Sequence, residues 1–168
     1  MFKWFECKVR FEREQQDGAI KSTEEAYLVD AMSFTEAEAR ITLEMKPFVT
    51  SEFEVKNINN VRITEIVNLH EDYSDNKFFK SKVIYKTIDE KKGIEKKTSG
   101  TMYVKAADIK QALDALIKYM DKGGSDYEIA NIAETAIMDV FEYAVMEKKD
   151  PNAPLGNSNA PVPPSVEE

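Results

Sequence analysis

The chain has 168 residues, of which 42% are hydrophobic and 32% charged, and its formal net charge is −8. This length predicts one domain with one core, and the negative charge argues against attraction of the whole surface to nucleic acid or anionic lipid, although a local basic face is compatible with it. The single cysteine, Cys7, excludes an intrachain disulfide and a thiolate metal cluster. Neither a signal-peptide core nor a run of about 18 apolar residues is found, so we expect a soluble, cytoplasmic protein without membrane contact.

A hairpin is predicted at the N-terminus. Apolar and polar side chains alternate in residues 3–13, which is the period of a half-buried strand. The Asp17-Gly18 pair suits the positive φ of a tight turn. Residues 25–31 then have the character of a returning strand.

A helix and a further strand are predicted next. Ser33 and Glu36 have the spacing of a capping box, apolar residues recur at helical spacing after it, and Pro47 ends the helix. Residues 53–67 return to strand character. Polar residues at 57–60 interrupt the alternation and predict a bulge or bend.

The same succession of elements then occurs a second time. The run Trp4-Phe5-x-x-Lys8-Val9 aligns with Phe78-Phe79-x-x-Lys82-Val83. Later equivalences at an almost constant offset are Val29 with Val104, Phe34 with Ile109, Ala37 with Ala112, Ile41 with Leu116, Met45 with Met120, and Ile58 with Ile132. Asp108 and Gln111 take the capping positions of Ser33 and Glu36, which favours a helix in both copies. We interpret this as a tandem duplication.

The second copy has its own turn and stop signals. Lys91-Lys92-Gly93 predicts its hairpin turn, and Gly123-Gly124 predicts the end of its helix. The duplication predicts a last strand within residues 129–141, although the propensities at 133–136 would suit a helix equally well.

These elements predict an α+β fold of tandem duplicated β-β-α-β units, forming an antiparallel or mixed sheet with two helices on one face. The strand after each helix is expected to run parallel to the one before it. We expect a single duplicated domain over residues 1–147, with halves at about 2–68 and 77–143. The Pro-rich residues 148–168 predict a disordered tail. This tail is interpreted either as a solubilising segment or as a contact for another protein.

The sheet face opposite the helices is the predicted functional surface. Between Lys77 and Lys97 eight lysines stand against three acids, so this hairpin is locally basic. Aromatic side chains beside cations are what single-stranded nucleic acid requires, because bases stack on the rings and the cations follow the phosphates. The candidate nucleic-acid-binding residues are Trp4, Lys8, Arg10, Phe78, Lys80, Lys82 and Lys86.

Two other interpretations of the same residues remain open. Lysine-rich hairpins are often solvated edges that prevent aggregation, and an aromatic residue at a strand end can cap a core. Alternatively, the open face serves a protein-interaction or assembly module that forms homo-oligomers. Binding to nucleic acid is expected to weaken steeply with salt, whereas apolar association is not.

Catalytic and metal-binding patterns are missing from the sequence. His70 is the only histidine, and Glu71, Asp72 and Asp75 lack the spacing of a calcium loop. There is no Gly-x-Ser-x-Gly elbow, and Cys7 lies on the apolar side of its strand. We therefore predict a non-enzymatic binding protein without a cofactor or metal.

Three segments carry a resemblance to a known family. They are residues 4–11 (Trp-Phe-Glu-Cys-Lys-Val-Arg-Phe), residues 27–31 (Tyr-Leu-Val-Asp-Ala) and residues 33–39 (Ser-Phe-Thr-Glu-Ala-Glu-Ala). The sequence resembles a domain family without an assigned activity that occurs in gut Bacteroidetes and their phages, over about residues 2–146. The resemblance implies a bacterial or phage cytoplasmic setting, and it implies no catalytic residues.

Overall fold

The computed structural model describes residues 1–143, so the predicted disordered tail at 148–168 lies outside the described residues. The described part has an α+β fold, as predicted. Its elements are β1 (Lys3–Glu14), β2 (Ile20–Ala31), α1 (Phe34–Met45), β3 (Phe53–Val61), β4 (Glu65–Val67), β5 (Lys77–Asp89), β6 (Ile94–Ala106), α2 (Ile109–Lys122), β7 (Asp126–Glu134) and β8 (Ile137–Phe141).

The strands form two four-stranded sheets. Sheet A has the order β3-β1-β2-β8, and sheet B has the order β4-β6-β5-β7. The chain divides accordingly into two compact units, of which unit 1 contains residues 1–61 and the segment from 137, and unit 2 contains residues 62–136. Helix α1 packs on sheet A, and α2 packs on sheet B. We call the sheet face opposite the helix the open face.

The β-β-α-β order is present in both units. Strand β1 is antiparallel to both β2 and β3, and β5 is antiparallel to both β6 and β7. The strand after each helix therefore runs parallel to the strand before it, as predicted. Phe34 and Ile109, equivalent in the duplication, are each the first residue of a helix.

The last strand of each copy differs from the prediction. The expected strand over residues 53–67 divides into β3 in sheet A and β4 in sheet B, and β7 and β8 divide in the same way. Val67 in β4 lies opposite Val104 in parallel pairing, and Phe141 in β8 lies opposite Val29. These two pairs are equivalent in the duplication, so the copies exchange their last strands reciprocally.

The interruption predicted at residues 57–60 is a β-bulge. The pairing shifts between Lys8 and Val9 on β1, which face Asn57 and Val55 on β3. The extra residue is Lys56, one position before the predicted segment. An equivalent shift occurs between Lys82 and Val83 in unit 2.

Both helices begin with a side-chain cap. Ser33 Oγ accepts a hydrogen bond from Glu36 N at 3.1 Å, and Asp108 Oδ1 accepts one from Gln111 N at 2.8 Å. The returning bond differs from the predicted capping box, because Glu36 and Gln111 accept from the residue before each cap, Met32 N and Ala107 N. Since that amide also lies outside the helix, the chain is fixed one residue earlier.

The length predicted one core, but the structure has two, because each unit has its own apolar core between helix and sheet. In unit 1, Phe5, Cys7, Val9 and Val29 pack with α1 residues such as Ile41. In unit 2, the core contains Phe79, Val83, Met102, Val104 and Leu116. The alternation read from the sequence therefore identifies the helix-facing side of β1 and β5 correctly.

Candidate nucleic-acid interface

The structure places the seven predicted residues on two different sheets. Trp4, Lys8 and Arg10 lie on β1 of unit 1, and Phe78, Lys80, Lys82 and Lys86 lie on β5 of unit 2. All seven alternate with residues of the helix-side cores, so they belong to open faces. Each group is a surface of its own unit.

In the unit 1 group, Arg10 stands among carboxylates, whereas Lys8 faces the uncharged Ala26 and Asn57. The strand register places Arg10 between Glu24 on β2 and Glu54 on β3, and Arg10 Nε donates to Ser22 Oγ at 2.8 Å. Trp4 is half-buried, and its carbonyl oxygen accepts from Asn60 Nδ2 at 3.1 Å. Neighbouring acids offset the positive potential of Arg10.

Phe78 requires a correction. Its side chain is only 1% exposed, so it offers no ring face for a base to stack on. Its carbonyl oxygen accepts hydrogen bonds from Thr135 N at 2.9 Å and from Thr135 Oγ1 at 2.8 Å. Strand periodicity correctly separated Phe78 from the helix side, but periodicity does not specify whether the opposite face is covered.

The lysines of β5 do form an exposed basic surface. Lys80 and Lys82 are exposed, and within residues 1–143 neither makes an ion pair. Lys86 lies 3.8 Å from a carboxylate oxygen of Glu128. The register places Lys82 between two uncharged residues, Thr101 and Asn131. The open face of β5 carries more positive charge than that of β1, because Lys80 stands where β1 has Glu6.

An open cavity of about 520 Å³ lies beside these lysines in unit 2. Its walls come from β5, β6, β7 and the segment that leads into β4. It is lined by Arg62, Thr64, Lys80, Ser81, Lys82, Ser99, Gly100, Thr101 and Asn131. Only Lys80 and Lys82 were predicted from the sequence. Arg62 and Thr64 were missed because they reach sheet B only through the strand exchange.

Groups suited to nucleophilic or metal chemistry are not assembled in the described residues. Cys7 is fully buried, and burial raises the pKa of its thiol to about 12, with a smaller contribution from Glu6. Such a thiol stays protonated at neutral pH. Within residues 1–143, no group of three or more His, Cys, Asp or Glu side chains is arranged to hold a metal ion. None of the helices there is long and apolar enough to span a membrane.

A family model matches residues 3–143, and this match covers both copies of the duplication. The chain belongs to the family DUF4494. The description of this family is "domain of unknown function", so membership in DUF4494 assigns a fold unit and no activity. No curated protein shows detectable similarity to the chain.

Proposed function

We propose that this DUF4494 protein is a non-enzymatic binding protein for single-stranded nucleic acid, and that the basic open face of sheet B is its contact surface. The observation that supports this proposal is the exposure of Lys80 and Lys82 without acidic partners in the described residues. The bacterial or phage cytoplasm implied by the resemblance is the proposed setting.

The contact is proposed to depend on phosphates more than on bases. Because Phe78 is buried, sheet B lacks the stacking ring that the sequence predicted. Lysines attract the phosphate backbone without reading sequence, and binding releases counterions, so affinity falls as salt rises. Trp4, which is half-buried on β1, belongs to the separate surface of unit 1, and it is the candidate stacking residue of that surface.

The first test is binding of a fluorescently labelled oligo-dT at several salt concentrations. For a single strand, log K falls with log salt with a slope of about −0.7 per contacted phosphate. The double variant Lys80→Glu with Lys82→Glu is expected to abolish or strongly weaken binding. The milder double variant Lys80→Gln with Lys82→Gln is expected to make the slope shallower by about 1.4.

The matched control changes two lysines on α2, which packs on the other face of sheet B. Lys110→Glu with Lys118→Glu alters the net charge equally, so it is expected to leave most of the binding intact. An equal loss of oligo-dT affinity in both double variants would mean that net charge alone drives the association. Absence of a complex, by polarisation and by Trp4 emission, would eliminate the nucleic-acid function.

A homo-oligomeric assembly module is the second candidate function, and one observation favours it. Phe34 and Ile109, equivalent first residues of the helices, are 55% and 52% exposed. Exposed apolar side chains at equivalent positions are suited to contacts with another chain. Light scattering at high salt separates the two candidate functions, because apolar association persists at high salt. The double variant Phe34→Ser with Ile109→Ser is expected to reduce that association.

A further inference from the structure

The cavity in unit 2 has the composition of an oxyanion site. Arg62, Lys80 and Lys82 supply cationic groups, and the hydroxyl side chains include Thr64 and Thr101. Within the described part of the chain, the residues that line it include no carboxylate. Its volume of about 520 Å³ lies in the range of small-molecule sites, which is roughly 300–1,000 Å³.

The strand exchange builds one wall of this cavity. Thr64 N donates a hydrogen bond to Thr101 O at 2.8 Å, immediately before β4 pairs with β6. A Cβ atom at position 100 would lie 2.7 Å from Thr64 Oγ1, so Gly100 allows Thr64 to lie closely over β6. Arg62 is two residues earlier, and it lines the same cavity as Lys80 and Lys82.

The β-bulge fixes another wall. Ser81 Oγ donates to Asn131 O at 2.6 Å, and Lys82 N donates to Asn131 Oδ1 at 3.2 Å. These bonds hold β5 and β7 together at the point where the register shifts. The backbone that carries Lys82 is consequently fixed before any ligand arrives, which lowers the entropy cost of binding.

The first copy provides an internal comparison, since its strand register is equivalent. Two residue types are retained there, Lys8 for Lys82 and Asn57 for Asn131, and both pairs face each other in the same way. The other seven positions change: Glu6 for Lys80, Cys7 for Ser81, Glu24 for Ser99, Glu25 for Gly100, Ala26 for Thr101, Ala136 for Arg62 and Met138 for Thr64. Two cations are thus lost, and two carboxylates, Glu6 and Glu24, are gained on the same face, whereas Glu25 lies on the helix side and pairs with Arg13. The equivalent place in the first copy is therefore less attractive to anions.

We propose that this cavity is a phosphate-binding site that only the second copy possesses, with Arg62 as its principal ligand. A guanidinium binds two oxygens of a phosphate through parallel N–H groups, and lysines add point charges. The inference rests on the proposed function, because the same lysines belong to the basic surface, and it names the phosphate as the recognised group. A backbone phosphodiester and a free phosphate ion share this chemistry.

The experiment uses the full chain and follows backbone amides by NMR. Inorganic phosphate and, separately, the dinucleotide thymidylyl-thymidine are titrated at constant ionic strength. Saturable shifts are expected at Thr64, Ser99 and Thr101. Arg62→Gln is expected to weaken binding by about tenfold or more, whereas Arg13→Gln, a matched change in unit 1, is expected to have no effect. An unchanged spectrum outside the cavity shows that each variant is folded.

The outcomes separate the two proposals. If neither probe shifts these amides, or if Arg62→Gln and Arg13→Gln bind equally, the phosphate site is refuted, and salt-dependent binding of oligo-dT would still support the proposed function. If the probes bind and oligo-dT does not, the site stands and the nucleic-acid function fails. Tighter binding of the dinucleotide than of inorganic phosphate supports a backbone phosphate, and the reverse order supports a free phosphate ion.

Discussion

Asp30 and Lys105 occupy equivalent positions in the two copies, although their charges are opposite. Asp30 Oδ1 accepts a hydrogen bond from Tyr143 N at 2.7 Å, and Lys105 Nζ donates one to Leu69 O at 3.3 Å. Each side chain therefore binds the backbone just after an exchanged strand. The carboxylate accepts from an N–H group, and the ammonium donates to a carbonyl. The position therefore requires a side chain that can hydrogen-bond the backbone, and either sign of charge is suitable.

Arg40 is the most informative single residue for stability. It is 1% exposed, and its guanidinium lies 2.8 Å from Asp30 and 3.4 Å from the carbonyl oxygen of Phe141. Arg40→Ala leaves the partly buried Asp30 carboxylate without its charge partner, and we expect a loss of about 3–5 kcal/mol in the free energy of unfolding. Urea denaturation measured by circular dichroism checks this value.

The control is Arg13→Ala, which removes an ion pair between this exposed arginine and the half-buried Glu25 and is expected to cost about 1 kcal/mol.

Burial raises the pKa of Asp30, against the opposing effects of Tyr143 N and Arg40. Removal of Arg40 should raise that pKa further. A raised carboxyl pKa in the folded state favours folding at acidic pH, so the loss should shrink as pH falls. Similar losses in both variants would contradict the importance of the buried pair.

Among the elements, the helices show how one geometry arises from two sequences. Ser33 caps α1 and Asp108 caps α2, and both have extended backbone conformations at the cap. Glu36 and Gln111 then bind the amide before each cap. Local hydrogen-bond chemistry therefore determines the helix starts, independently of the rest of the unit.

Replacement of the α2 cap is expected to lower stability moderately. Asp108→Ala removes the acceptor for Gln111 N, and the expected loss is about 1 kcal/mol in the free energy of unfolding. Asp108→Asn keeps an acceptor oxygen at the same place and should cost much less. Thermal unfolding followed by circular dichroism measures both, and an Asn variant as unstable as the Ala variant would show that the cap hydrogen bond is unimportant.

At the scale of the whole molecule, the strand exchange means that one unit needs one chain segment and the other needs two. Unit 2 is built from the continuous segment 62–136, whereas unit 1 also needs the segment from 137. Strand β8 supplies the buried residues Ile137 and Val140, and its Phe141 ring stacks on Tyr27 at 5.6 Å between centroids. Unit 1 is therefore complete only when the end of the second copy is present.

Truncation after Ala136 is expected to damage unit 1 selectively. Each buried aliphatic side chain that is lost removes about 1.5–3 kcal/mol of burial energy, and the hydrogen bonds of β2 to β8 are lost as well. Amides of β1 and β2 should then exchange with solvent much faster, whereas those of β5 and β6 should stay protected. Hydrogen exchange of both units in the same sample measures this difference.

Truncation after Lys148 is the control, because it removes only the Pro-rich tail and keeps β8. It should leave exchange in both units unchanged. Equal loss of protection in both units after truncation at Ala136 would show that they unfold as one cooperative body. Loss confined to unit 2 would contradict the assignment of β8 to sheet A.

Short-range sequence patterns were sufficient to predict much of this fold. The period of two in β1 and β5 predicted which side chains enter the cores, and the spacing from Ser33 to Glu36 predicted the start of α1. The duplication correctly favoured strand structure within residues 129–141, where local propensity also suited a helix. The position of Lys80 and Lys82 on the face opposite the helix was predicted in the same way, because alternation specifies the face on which a side chain lies.

The sequence alone thus determined the duplication, the types of the elements and the faces of the long strands, since these depend on neighbours within a few residues. Only the tertiary structure decided which sheet receives β4 and β8, because strands of three and five residues carry too little pattern to specify their partners. It also decided that Phe78 is buried and that Arg62 lines the same cavity as Lys80 and Lys82. Burial and proximity are produced by segments distant in the chain, and no local period encodes them.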